Sequence, residues 1–216
     1  MQKIILASGS PRRKEILELL GLEFEVVESG FDEELVPQDD AVEMVEELAM
    51  QKALSVAKNY PDAIVIGGDT TVDLPAQAGI EGEILNKAES AKAAKTMFSK
   101  LLGKTHRVVT GVAVVNSLTG ESVVGNESGW VSLRSASERE LEHYVATESN
   151  WRGFAGAYAL QGGAAPFALN QSGKLSAIIG MPVELTTDLL EQIGVVVEVD
   201  PRQLEDQLHG MKVGIS

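Results

Sequence analysis

Apolar residues arrive in short blocks separated by glycine, proline and acidic turns, and the period inside the blocks changes along the chain. Residues 3–7, KIILA, form an apolar run of strand length that Ser8, Gly9 and Ser10 interrupt. Ser10 then reads as an N-cap, Pro11 as the first helical residue and Gly21 as the stop. Ile16, Leu17, Leu19 and Leu20 supply the buried face of that helix. EFEVVES follows as a strand, and the acidic turn GFDEELVPQDD leads into AVEMVEELAMQKALSVAKNY. There Val42, Val45, Leu48, Ala49, Ala53 and Val56 recur at helical spacing, and Asp40 with Glu43 has the spacing of a capping box. AIVIGGDTTVDL begins as a buried strand expected to end at Gly67 and Gly68, with Asp69 just beyond.

After a glycine-containing connection, ESAKAAKTMFSKLLG predicts a helix with Ala91, Ala94, Met97, Phe98 and Leu101 inward. HRVVTGVAVV and ESVVGNESGWVSLR, joined by NSLTG, predict a long hairpin. Ser137 and Glu140 mark a capping box for a helix to about Val145. A glycine-rich stretch follows, then a helix from Val183 to Ile193 and a strand GVVVEV; the tail PRQLEDQLHGMKVGIS is expected to add a peripheral helix or fray.

Alternating strands and helices with one antiparallel insertion predict an α/β or mixed α+β fold. A chain of 216 residues supports one sizeable core, so residues 1–216 are expected to form a single domain of two lobes around a central cleft. The weakest internal boundaries fall near 102–106 and 176–182.

The charge of -14 argues against a broad face for a nucleic-acid polymer, but a few local cations still suffice for a small anion. Cysteine is absent, which removes disulfides, thiol nucleophiles and thiolate metal sites, and three scattered histidines leave little for zinc. No run of apolar residues is long enough to span a membrane and the start lacks a signal-peptide pattern, so a cytoplasmic location is expected. A symmetric homodimer is a reasonable expectation, though no segment specifies one.

Candidate chemistry begins with ASGSPRRK. Arg12, Arg13 and Lys14 sit in a first helical turn, where cations oppose the helix dipole; a solvated basic cluster is the commoner meaning of such a run. The preceding Ser8 and Ser10 add hydroxyls and exposed N–H groups, which tips the reading toward phosphate binding. Asp69, at the end of an expected central strand, is either a turn former or a carboxylate at the ligand-binding edge of an open sheet. Glu33 is either solvated or a second oxygen donor that joins Asp69 on a hard divalent cation. Lys52 and Lys87 are by default snorkelling or exposed, and gain meaning only if these segments converge on one phosphate chain. YALQGG, residues 158–163, is either a tight turn or a base-recognising segment. GKT at 103–105 is no P-loop, since Phe98 stands where the glycine is required.

Taken in order, SGSPRR, the Asp32–Glu33 pair, LAMQKA, GGDTTV, the Lys87 segment, THRVVTGVAV and GAYALQG resemble the Maf family of nucleoside triphosphate pyrophosphatases over nearly the whole chain. The resemblance implies a Maf/ITPase-like fold: a twisted mixed sheet flanked by helices, with an antiparallel hairpin-bearing lobe. It also implies hydrolysis between the α and β phosphates with a divalent metal, Mg or Mn. Asp69 matches the catalytic carboxylate, Glu33 and Asp69 the metal-holding pair, and Ser8, Ser10, Arg13, Lys52 and Lys87 the phosphate-facing set. Arg12, Thr70 and Gln161 resemble the branch acting on dTTP and UTP rather than that acting on 7-methyl-GTP. Three positions depart from the family pattern: Ile-Gly-Gly-Asp over 66–69 where Gly-Ala-Asp is more usual, Asn86 where glycine is common, and Phe154 where lysine is frequent. Two rival readings remain, a weakly catalytic nucleotide-binding regulator of cell division and a house-cleaning pyrophosphatase for modified nucleotides.

Overall fold

The computed structural model describes residues 2–76 and 82–210. Part of the glycine-containing connection, 77–81, and the end of the tail, 211–216, lie outside the described residues. Seven strands form one sheet in the order β2-β1-β3-β5-β6-β7, with β4 also paired to β3. β1 (Lys3–Leu6) runs parallel to both β2 (Phe24–Val26) and β3 (Ala63–Leu74). β4 (Glu83–Leu85), β5 (Thr105–Asn116), β6 (Ser122–Leu133) and β7 (Ala168–Gly173) make antiparallel ladders. The long hairpin is therefore β5–β6, closed where the sequence places it, and the fold is mixed α/β.

Helices α1 (Pro11–Leu19), α2 (Ala41–Ala57), α3 (Ala91–Leu101) and α4 (Glu138–Ala146) follow the predicted order, with α5 (Leu175–Ile179), α6 (Val183–Gln192) and α7 (Pro201–Gly210) beyond them. Ser10 is the N-cap residue of α1 by backbone conformation, although its side chain makes no capping bond, and Pro11 opens the helix. Ser137 and Glu140 form the expected capping box on α4. On α2 only half of the box forms: Asp40 accepts from the Val42 and Glu43 N–H groups, at 2.8 and 3.0 Å. Leu19 is exposed rather than buried, because Ile16, Leu17 and Leu20 already cover the sheet.

Three expectations need larger correction. β3 does not end at Gly67–Gly68; its ladder with β5 continues to Asp73, so Asp69 lies within the strand. The apolar run GVVVEV makes no strand, since it reaches no sheet edge; Val195, Val197 and Val199 instead pack as irregular backbone on the core. The C-terminal helix is not peripheral, because Leu204 and Leu208 of α7 are buried with Leu17, Leu20 and Leu190.

The pairing of β3 creates the opening that matters. On one edge β5 accompanies it from Ile64 to Asp73. On the other edge β1 leaves at Ile66 and β4 joins only at Val72. Residues 67–71, the GGDTT segment, therefore present an edge with no strand partner among the described residues to the space between the two halves of the sheet.

Candidate active site

That window opens on a cleft of about 750 Å³, lined from both sides of the gap by the Ser8–Arg13 loop, Asp69, Thr70 and residues 153–162, among others. Successive side chains of β3 leave in opposite directions, so the two charged partners of the strand approach it from opposite faces. Asp69 and Thr71 turn toward α2, and Gly68 and Thr70 turn toward Arg13.

Lys52 reaches Asp69 because α2 lies unusually close to the sheet. A Cβ at Gly67 would stand 2.1 Å from the Ala49 carbonyl oxygen, and one at Gly111 of β5 would stand 2.3 Å from that of Val45. With only hydrogens at those positions the helix settles onto the strands, and Lys52 is drawn under cover at 6% exposure. Its Nζ contacts Asp69 Oδ1 at 2.6 Å and Glu33 Oε1 at 2.7 Å. Lys87, held by a bridge between its backbone and that of Ala155, brings a second ammonium to Glu33 at 3.5 Å. The result is a chain of alternating charge, Lys87–Glu33–Lys52–Asp69. Burial pushes the Glu33 carboxyl upward, but its bonds to Lys52 and its attraction to both lysines outweigh that and hold it below the usual carboxylate range.

The two arginines part company. Arg13 is engaged at each nitrogen: Nε donates to the Gly180 carbonyl at 2.9 Å, one terminal nitrogen to Ser8 Oγ at 3.0 Å and the other to Thr70 Oγ1 at 3.1 Å. Thr70 Oγ1 also shares a hydrogen bond with Thr110 Oγ1, whose hydroxyl donates to the Ala177 carbonyl at 2.8 Å. Arg12 instead sits over the Phe154 ring, 4.2 Å from its centroid, and its Nε is buried without a partner among the described residues. Burial, with Arg13 adding repulsion, pushes the Arg12 guanidinium down to about 10. Burial also lowers Arg13, against the pull of Asp69 and Glu33. Across the cleft Gln161 carries a second buried donor, Nε2, with no partner.

Ser8, Ser10, Arg12, Arg13, Glu33, Lys52, Asp69, Thr70, Lys87 and Gln161 thus line one cleft, while Lys14 points away from it and pairs with Glu18 at 3.6 Å. Sequence reasoning missed the partners that hold them. Gly180 supplies the carbonyl for Arg13, and Thr71 donates to Asn86 Oδ1 at 2.7 Å while the Asn86 amide donates to Gln38. Phe154 and Asn86 were visible as departures from the family pattern; nothing in the sequence marked Gly180 or Gln38.

Two carboxylate oxygens that already converge on one cationic nitrogen are a donor set suited to a hard divalent cation. Among the described residues no group of three or more Asp, Glu or His could hold a metal by itself. The set matches an ion that takes one or two carboxylates and completes its shell with phosphate and water.

A mixed sheet, opened along β3 beside a carboxylate, with lysines on one face and a serine-anchored arginine on the other, defines an α/β protein with a charged, cation-rich cleft. The family model described as Maf-like protein matches residues 3–193, and the chain belongs to the Maf family. The chain is 39% identical to a dTTP/UTP pyrophosphatase of Symbiobacterium thermophilum over 90% of its own length and 95% of that protein. It is 40% identical to the protein of the same name from Pelotomaculum thermopropionicum, over 90% and 98%. A Bacillus anthracis dTTP/UTP pyrophosphatase is 38% identical over 90% and 97%. Among solved structures the Ham1 protein of Staphylococcus aureus aligns over 98% of this chain and all of its own, with TM-score 0.45 and 15% identity. No helix among the described residues is long and apolar enough to cross a membrane.

Proposed function

We propose that this chain is a nucleoside triphosphate pyrophosphatase that hydrolyses dTTP and UTP to the monophosphate and pyrophosphate. The observation that carries the reaction is the Glu33–Lys52–Asp69 cluster beside Arg13, two carboxylates and two cations gathered at the unpartnered edge of β3. In this reading Asp69 takes the proton of a water whose oxygen bonds to the α phosphorus, while the bond from that phosphorus to the β-phosphate bridge breaks and pyrophosphate leaves. Lys52, Lys87 and Arg13 offset charge along the phosphate chain, with the Ser8 and Ser10 hydroxyls donating to its oxygens. Incoming phosphate competes with Asp69 for the Lys52 ammonium and so frees the carboxylate to act as base. Glu33 and Asp69 would hold Mg or Mn, which supplies stabilisation of charge on the phosphoryl oxygens when bound.

Base choice follows from the two orphaned donors. Arg12 Nε and Gln161 Nε2 each need an acceptor, and a pyrimidine-2,4-dione offers two carbonyls where cytosine offers one carbonyl and an amine. Thr70 lines the same cleft and joins them in this choice. The acidic charge of the chain supports a small-molecule substrate rather than a nucleic-acid polymer, and we read residues 1–216 as one two-lobed domain working in the cytoplasm, with a homodimer as its expected assembly.

Hydrolysis of dTTP, UTP, CTP, GTP and modified pyrimidine triphosphates, each with and without Mg or Mn, tests this directly. Pyrophosphate and monophosphate from dTTP and UTP are expected, with turnover abolished by EDTA. Release of inorganic phosphate, or binding without turnover, would overturn the reaction. Asp69→Asn should lower kcat by about 10²-fold or more while nucleotide still binds.

A further inference from the structure

The family match ends at residue 193, yet α7 follows it and packs into the main core. A helix can be seated by Leu204 and Leu208 alone, so the acid between them needs a reason. Glu205 is only 4% exposed, and a buried carboxylate is costly unless hydrogen bonds hold it. It is held by the start of α5: its Oε1 accepts from the Ser176 N–H at 3.2 Å, and its Oε2 accepts from the Ser176 hydroxyl. His209 Nε2, one turn on, lies 3.4 Å from Oε1.

Ser176 is the hub of the turn that follows. Its Oγ accepts from the Val183 N–H at 3.1 Å, and its carbonyl accepts from the Gly180 and Met181 N–H groups, both at 3.0 Å. Those bonds close α5 on Gly180, whose backbone sits at φ 118, a conformation that leaves little choice of residue. The Gly180 carbonyl then accepts from Arg13 Nε. Glu205, Ser176, Gly180 and Arg13 thus form one continuous series of hydrogen bonds from the C-terminal helix to the cleft.

We infer that α7 is an intramolecular clamp, and that Glu205 is a positioning residue which fixes Gly180 and so aims the Arg13 guanidinium at the phosphate chain. The inference rests on the reading of the cleft as a triphosphate site. Arg12 and Gln161 are not part of the series, so the clamp acts on phosphate and leaves base choice alone.

Glu205→Gln in the full chain keeps the shape but offers one oxygen where the carboxylate offers two, so one of the two Ser176 donors, N–H or hydroxyl, meets an amide NH2. Calorimetric binding of pyrophosphate with Mg should weaken about fivefold, the worth of one hydrogen bond. KM for dTTP should rise in step, with the ratio of dTTP to CTP turnover unchanged. Ser176→Ala should give the same loss, and the double variant no more than either alone. Hydrogen exchange at Arg13 Nε–H, followed by NMR, should quicken in both variants; this readout needs no turnover and separates the clamp from the substrate reading. If the wild type hydrolyses dTTP while the variants match it in pyrophosphate binding and Arg13 exchange, the clamp is wrong and the function stands. Failure of both variants to fold would assign α7 to stability alone and equally overturn it.

Discussion

Arg12 and Arg13 are neighbours in sequence, yet a rotation of about 100° per helical residue sends them to different walls of the cleft. Arg13 anchors each of its three nitrogens once, on Gly180, Ser8 and Thr70, and keeps a second N–H on each terminal nitrogen for an anion, whereas Arg12 keeps Nε free and rests on Phe154. The departure at 154 therefore replaces an expected cation by an aromatic face on which the arginine rests. Phe154→Leu should keep the volume but lose a cation–π contact of ~1 kcal/mol, so discrimination of dTTP over CTP should fall about fivefold with kcat for dTTP little changed. Steady-state kinetics on the two nucleotides check it; unaltered discrimination would detach Phe154 from base choice. Glu33 makes a prediction of sign. Its folded carboxyl is depressed, so its bond to Lys52 stabilises the cluster above the ordinary carboxylate range and is lost as pH falls through the lowered value. Glu33→Gln should remove that acid dependence from nucleotide binding, measured by titration between neutral and acidic pH.

At the scale of elements, the site depends on how tightly α2 lies on β3 and β5. Gly67→Ala adds a methyl where the Ala49 carbonyl already stands, at an ordinary backbone conformation, so the helix must lift. The expected cost is about 1–3 kcal/mol in urea unfolding, together with a rise in KM, because Lys52 rides on the lifted helix. The same glycines explain why the site was only partly legible in the sequence. They look like a strand terminus, as glycines after an apolar run usually are, but their role is close approach, and β5 carries the strand on past them. Asp69, Lys52 and Glu33 could be picked out by residue type; their meeting depends on a helix–sheet distance that no local pattern records. GVVVEV fails as a strand for the converse reason: apolar residues state that a segment is buried, not that a sheet edge is free to receive it. Short pieces such as β4 and α5 had no periodic signal to give, being set by what they pack against.

For the whole molecule, one buried titratable group away from the charge cluster is His106, fully covered and bonded through Nε2 to the Tyr158 hydroxyl. Burial lowers its pKa to about 4, so the folded protein keeps the ring neutral while the unfolded chain protonates it near 6.5. Between those values the unfolded state binds more protons, and stability should drop by up to about 3 kcal/mol as pH falls from 6.5 to 4. His106→Gln should flatten that part of the profile in urea titrations; an unchanged slope would assign it to other groups. The sheet also implies an order of assembly. β5 and β6 are joined by residues 117–121 and pair along their lengths, a local hairpin, while the cleft waits for segments as far apart as Ser8 and Gly180. Closing those loops is the late, entropically expensive step, so the hairpin forms the folding nucleus and the cleft is completed after the barrier is crossed. A nucleotide has nothing to bind in that transition state. Added substrate or pyrophosphate should therefore slow unfolding in stopped-flow experiments and leave the refolding rate where it was. The protein's lifetime, but not its rate of folding, would then follow the nucleotide pool around it.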